Sequence, residues 1–245
     1  MKKWLLFFLI FATSLYGEEL RLKDLLRSAE PGSYFVTEHS QLYTFFYIQD
    51  RQDETLFLEE VCIPAKRFVK AKMDWGKWFC EGAKGNTGWL VSQVDLGTGE
   101  FLDTFSYAHQ GWVDTSDFRH FLSTLLNLPF YPVPENKRQK IGSPPPANRA
   151  DTRRNWNPRF TYQGETIKNV PFSAWVSHWP RDKSELSGKY LEIYLPEHAE
   201  GDGLPNYPTY FPHWIEIEGA VGTAKLRVVD SGYTSCSPQP PMLVS

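Results

Sequence analysis

The residue types that could do chemistry are concentrated in one stretch, YLPEHAEGDGLPNYPTYFPHWIEIEG, which holds His198, Asp202 and His213. Imidazole and carboxylate are zinc ligands, and an acid beside a neutral imidazole makes a general acid/base pair. If the flanking segments pair as strands, His198, just past Pro196, and His213, just before Trp214, come near each other at the two strand ends. That proximity follows from pairing alone, and the spacing matches no named metal or catalytic motif. A zinc site needs at least three converging ligands, which two histidines and acids on a glycine-containing turn do not offer. No metal and no cofactor is therefore expected. Prolines at 205, 208 and 212 and glycines at 201 and 203 explain Glu197 to Pro212 as a stiffened, exposed connecting loop.

Elsewhere the usual signatures are missing. There is no G-x-S-x-G, H-E-x-x-H, paired C-x-x-C, Walker loop or G-x-G-x-x-G. Of the three cysteines, Cys62 and Cys80 lie in the aromatic N-terminal part and could form a disulfide, while Cys236 stands in a Ser/Pro tail. Tryptophans at 75, 78, 89, 112, 156, 175, 179 and 214 can build a β core or a surface on which sugar rings or lipid stack. Within MDWGKWF, Trp75 and Trp78 stand among lysines and glycine, where strand alternation does not demand burial, so they are the candidate ligand-binding rings.

The elements that must position these residues are mostly strands. LYTFFYI and ETLFLEEVCI flank the polar QDRQD, and GWLVSQV and EFLDTFSY flank DLGTG, which gives two hairpins. Leu22, Leu25 and Leu26 form the apolar stripe of a short helix ahead of Pro31. In DTSDFRHFLSTLLNLP the spacing turns helical, with Thr115 or Ser116 as cap and Pro129 as stop. A short helical turn follows, so a helical insertion is expected from Ser116 to Ile141. Beyond it, KYLEIYL alternates as a half-buried strand. HWIEIEG and TAKLRVVD fold back with Ile217 opposite Leu226 and Ile215 opposite Val228. The same register sets Glu218 opposite Lys225 and Glu216 opposite Arg227, apolar pairs on one face and charge pairs on the other. The fold class is mainly β: an antiparallel β-sandwich or partly open barrel with a short helical insertion.

The ends and the charge constrain where the protein works. MKKWLLFFLIFATSLYG has lysines, an apolar run from Trp4 to Phe11 and then small residues, the order of a secretory signal peptide over 1–17. The run is too short for a membrane-spanning helix, which needs roughly 20 apolar residues. Removing Lys2 and Lys3 moves the net charge from −3 to −5, which disfavours a nucleic-acid partner. The expected divisions are a β-rich region with its helical insertion over 18–141, a proline-rich linker or surface crossing over 142–151, a C-terminal β region over 152–236 and a tail over 237–245. No later segment is long and apolar enough to span a membrane.

RRNWNP, WPRDKSELSG and FPHWIEIEGAVGTAKLRVVDSG resemble segments of uncharacterised exported proteins of bacteria that live inside host cells. The resemblance runs from Trp75 to Gly232, implies export, and carries no catalytic residue across. The reading is an exported envelope or secreted protein, a non-catalytic binding module that uses an aromatic surface, with a polysaccharide or a lipid as partner. The alternatives are a hydrolase of envelope polymers working through the 197–213 loop, and a purely structural protein.

Overall fold

The computed structural model describes residues 19–68, 74–198, 205–219, 222–234 and 237–242. The expected signal peptide lies outside these. Among the described residues no helix is long and apolar enough to cross a membrane.

The N-terminal half is an antiparallel meander of β1 (Ser33–His39), β2 (Leu42–Gln52), β3 (Thr55–Pro64), β4 (Gly88–Asp95), β5 (Glu100–Ser106) and β6 (Gly111–Val113). The C-terminal half is a second meander of β10 (Phe172–His178), β11 (Tyr190–Pro196), β12 (Trp214–Gly219) and β13 (Gly222–Tyr233), with β7 (Tyr131–Pro132) at its edge. Strand β13 pairs antiparallel with β1, so the two meanders form one 11-stranded sheet that crosses the proline-rich 142–151 segment. The edge strands β6 and β7 are not paired with each other, and the sheet stays open. The expectation of a mainly β, open-barrel or sandwich-like fold is met.

Strand alternation sets what each face carries. In β3, Leu56 and Leu58 turn to one face, and Val61 and Ile63 to the other. The inner face joins both halves: Phe35, Ile48 and Leu56 share a core with Trp175, Ile193 and Ile215. Helices α1 (Leu22–Leu26) and α3 (Ser116–Asn127) close it through Leu22, Leu26, Leu125 and Leu126. The α3 helix matches the insertion in place but is shorter than Ser116 to Ile141, because Pro129 stops it, β7 follows, and a single 3-10 turn at Glu135–Lys137 comes next. Its first turn is capped by Asp114, whose Oδ1 accepts from the Ser116 amide at 3.0 Å; Thr115 makes no such bond.

The outer face is covered in two pieces. Over the first meander lies α2 (Trp75–Cys80), which buries Trp75, Trp78 and Phe79 against Tyr43, Phe45 and Trp89. Over the second lies the small hairpin of β8 (Phe160–Tyr162) and β9 (Glu165–Ile167), with Phe160 against Phe172, Tyr194 and Tyr207. This hairpin is latched to β13: the Gln163 amide donates to the Ser231 carbonyl at 2.8 Å. Gly232 sits under the latch, where an added Cβ would come within 2.9 Å of the Tyr34 hydroxyl.

The β12–β13 hairpin departs from expectation by two residues. Ile215 faces Leu226, Glu216 faces Lys225 and Ile217 faces Ala224. Because side chains alternate with period two, such a shift keeps every residue on its expected face. Its origin is the turn: pairing closes on Gly219 and Gly222, leaving a two-residue connection, the length hairpins favour.

The expected Cys62–Cys80 bridge is not formed. Cys62 is a free thiol on β3, 3.7 Å from the Thr44 hydroxyl, while Cys80 at the end of α2 is disulfide-bonded and lies 3.1 Å from the Thr234 hydroxyl beyond β13. Nearness in sequence misled, because α2 carries Cys80 toward the chain's C-terminal segment. Cys236 lies outside the described residues.

Candidate functional site

The outer face has a gap where its two covers meet. It is a cavity of about 360 Å³ bordered by Phe68, Asp74 and Trp75 on the α2 side and by Trp156, Arg159 and Gly164 on the side of the small hairpin. Its floor is Trp214 of β12 and Arg227 to Asp230 of β13.

Each wall is held by ordinary chemistry. Asp74 is the N-cap of α2, accepting from the Gly76 amide at 2.8 Å, which places Trp75 at the rim; Trp75 stacks on Phe68 at 3.6 Å. Opposite, Trp156 packs edge to face on Trp214 and on Tyr194, both at 5.1 Å. Lys225 lies 5.4 Å from the Trp214 ring centre. Arg159 is fixed by its Nε donating to the Thr166 hydroxyl at 3.0 Å, and among the described residues it has no carboxylate partner. Arg227, in contrast, is bound to Glu38 at 2.6 Å. Among the described residues, one guanidinium in the groove is thus hydrogen-bonded to a hydroxyl but has no carboxylate partner, and the other is neutralised.

Asp230 is the buried acid of the site, 1 % exposed. It accepts from the Tyr34 hydroxyl at 3.2 Å and from the Gly164 amide at 3.0 Å. Burial pushes its carboxyl up to about 6, against those hydrogen bonds, with the Asp74 charge adding to the rise. The same burial, with Asp230 beside it, pushes the Tyr34 hydroxyl well above its ordinary range.

The sequence-derived candidates separate. His213 borders the groove, but its ring nitrogens are buried and have no partner at hydrogen-bond geometry among the described residues. It stacks on Phe160 at 4.5 Å, and burial holds it neutral, pulled down to about 3 despite the nearby Phe211 backbone. His198 is exposed and stacks on Tyr207 at 4.9 Å, and Tyr207 in turn lies 4.6 Å from Phe160. Two aromatic rings therefore stand between the histidines, which do not converge. Asp202 lies outside the described residues. Among the described residues no group of three or more His, Cys, Asp or Glu is placed to hold a metal.

The loop itself also differs from the expected exposed span. Tyr207, Pro208, Tyr210 and Pro212 are buried, with Tyr210 edge to face on Phe35 at 6.1 Å. Of the two candidate rings, Trp75 does border the groove, whereas Trp78 is core, 1 % exposed, with its indole N–H given to the Lys84 carbonyl at 3.1 Å. Trp156, Arg159 and Asp230 were not singled out from sequence. Their signals were present in RRNWNPR, where an aromatic stands among cations beside a proline, and in VVDSG, where an acid ends an apolar strand run.

Fold and site together define an open antiparallel β protein with an aromatic groove on its outer face. The CT021 protein family model matches residues 44–168, half of the chain, which belongs to that family. Those residues contain the groove's walls but not its floor. Among solved structures, the hypothetical protein CT021 from Chlamydia trachomatis matches with a TM-score of 0.65 and 20 % identity, over 93 % of this chain and 99 % of that one, a likeness of fold. No match was found among curated proteins.

Proposed function

We propose that this chain is an exported, non-catalytic binding module that holds an amphipathic ligand, a polysaccharide or a lipid, in the outer-face groove. The observation that carries the reading is the cavity of about 360 Å³ bordered by Trp75, Trp156 and Trp214, with Arg159 at its wall lacking a carboxylate partner among the described residues. Its volume falls within the roughly 300–1,000 Å³ typical of small-ligand sites. Flat rings match the apolar faces of sugars and the upper acyl chain of lipids, and a guanidinium whose charge is not paired with a carboxylate of the described residues favours a ligand bearing carboxylate or phosphate. The firm tethering of Asp74 and Asp230 to backbone amides suits a fixed wall better than a pair of groups exchanging protons.

Export is supported by the lysine, apolar and small-residue order of the leader and by the disulfide at Cys80, which suits an oxidising compartment. The test is titration of the purified protein with acidic and neutral oligosaccharides and with anionic and neutral lipid vesicles, read by tryptophan fluorescence. The reading expects saturable quenching by one of these classes, and by its anionic member more strongly. No response to any of them would overturn it.

A further inference from the structure

A second site lies at the far end of the α2-covered face, built around Gln49. The register of β2 with β3 breaks between Ile48 and Asp50, leaving Gln49 as the extra residue of a β-bulge. Bulges re-aim a side chain, and this one turns a primary amide toward the chain's own C-terminal segment. Gln49 Nε2 donates to the Pro240 carbonyl at 3.4 Å, and its Oε1 accepts from the Met242 amide at 3.0 Å. One side-chain amide thus reads the carbonyl of one residue and the N–H of the second residue after it, as a neighbouring strand would. The Tyr107 hydroxyl donates to the same Pro240 carbonyl at 3.1 Å.

The amide is held in that orientation from below. Glu59 is completely buried and has no cationic partner among the described residues. Its Oε1 accepts from Gln49 Nε2 at 2.8 Å and its Oε2 from the Trp89 indole at 2.7 Å, and it also bonds the Ser237 side chain. A carboxylate in that place forces Gln49 to present N–H inward and toward Pro240, leaving its oxygen for Met242. Burial raises the Glu59 carboxyl, so the three donors are what keep it acceptable in the core.

The bound segment reads Ser237, Pro238, Gln239, Pro240, Pro241, Met242. Pro238, Pro240 and Pro241 are exposed, so the receptor touches backbone atoms and one hydroxyl while the proline rings keep the segment extended. Nothing in these contacts requires that the segment belong to the same chain.

We propose that Gln49, Tyr107 and Glu59 form a receptor for an extended, proline-containing peptide with a hydroxyl residue three positions before the clamped carbonyl. The chain's own tail occupies it in cis, and a partner protein's segment of the same chemistry takes it when the tail is displaced. This is separate from the aromatic groove and does not rest on the groove's ligand.

The probe is a fluorescent SPQPPM peptide, capped at both ends. In the full chain with every residue from 237 to 242 replaced by glycine, saturable binding is expected, at least about tenfold tighter than to the unmodified chain, whose tail competes. Gln49→Ala in that glycine-tail background should abolish it. A folded glycine-tail chain that ignores the peptide, or equal binding by the unmodified chain or with Gln49→Ala, overturns the proposal. Independently of that variant, excess unlabelled peptide should accelerate hydrogen exchange of the Met242 amide in the unmodified chain; unchanged exchange would also overturn it.

Discussion

The ring of His213 lies nearly parallel to that of Phe160, 4.5 Å away, and neither of its nitrogens has a partner at hydrogen-bond geometry among the described residues. His213 therefore works as an apolar plate at the end of an aromatic row, and its cost appears on acidification. Its folded pKa, about 3, lies below the ordinary 6.5, so the stability tied to the neutral ring is present above pH 6.5 and lost as pH falls toward 3. The ceiling on that loss is about 5 kcal/mol. His213→Phe should flatten the acid limb of a denaturation series across that window. An unchanged acid limb would show that the ring is solvated.

Asp230 has the opposite signature. Its folded pKa, about 6, lies above the ordinary 3.8, so its contribution is present at low pH and lost as pH rises through 3.8 to 6. Relative to Asp230→Asn, the wild-type chain should lose up to about 3 kcal/mol between the two ends of that window. Urea midpoints at both ends measure it. A constant gap between the two proteins would contradict the assignment.

Cys62 should be the cysteine that alkylates without reductant once the chain is unfolded. Burial, with Glu60 close by, pushes its thiol up to about 11, so little thiolate is available at neutral pH while the chain is folded. Mass mapping should find label on Cys62 only after unfolding, and none on Cys80. Label on Cys80 would contradict the disulfide.

The hairpin register predicts a specific rescue. Lys225 Nζ lies 3.7 Å from Glu216 Oε2. Lys225→Glu should cost on the order of 0.5 kcal/mol, and Glu216→Lys should restore it. Glu218→Lys, the rescue expected from the sequence register, should not, because Glu218 faces Thr223.

That two-residue slip shows how far this sequence could be read. Alternation of Ile215, Ile217, Leu226 and Val228 fixes the face of each strand, yet every even shift satisfies it equally, and only the turn decides. Of the two N-terminal hairpins, the one turning at DLGTG has its strands where expected, whereas in the other QDRQD is not the connector: Gln49 to Gln52 continue β2 and the turn falls at Asp53 and Glu54. Facts that depend on distant packing were not legible. Cys80 meets Thr234, Tyr210 meets Phe35, and the groove joins Trp75 to Trp156 and Trp214, all across separations that no local pattern encodes. The histidines attracted attention by type, but burial and stacking, which sequence does not state, decide what they do.

The outer-face groove is the proposed binding site, and two tryptophans on the same molecule test it most directly. Trp156 borders the groove, whereas Trp112 on the edge strand is 57 % exposed and does not border it. Each is replaced by alanine, and the oligosaccharide and vesicle titrations are repeated by calorimetry. Affinity for the bound class should fall at least about tenfold in Trp156→Ala, the scale of losing an aromatic contact worth one to two kcal/mol, and stay unchanged in Trp112→Ala. Undiminished binding by a folded Trp156→Ala chain, or loss with Trp112→Ala instead, would place the ligand elsewhere and contradict the account.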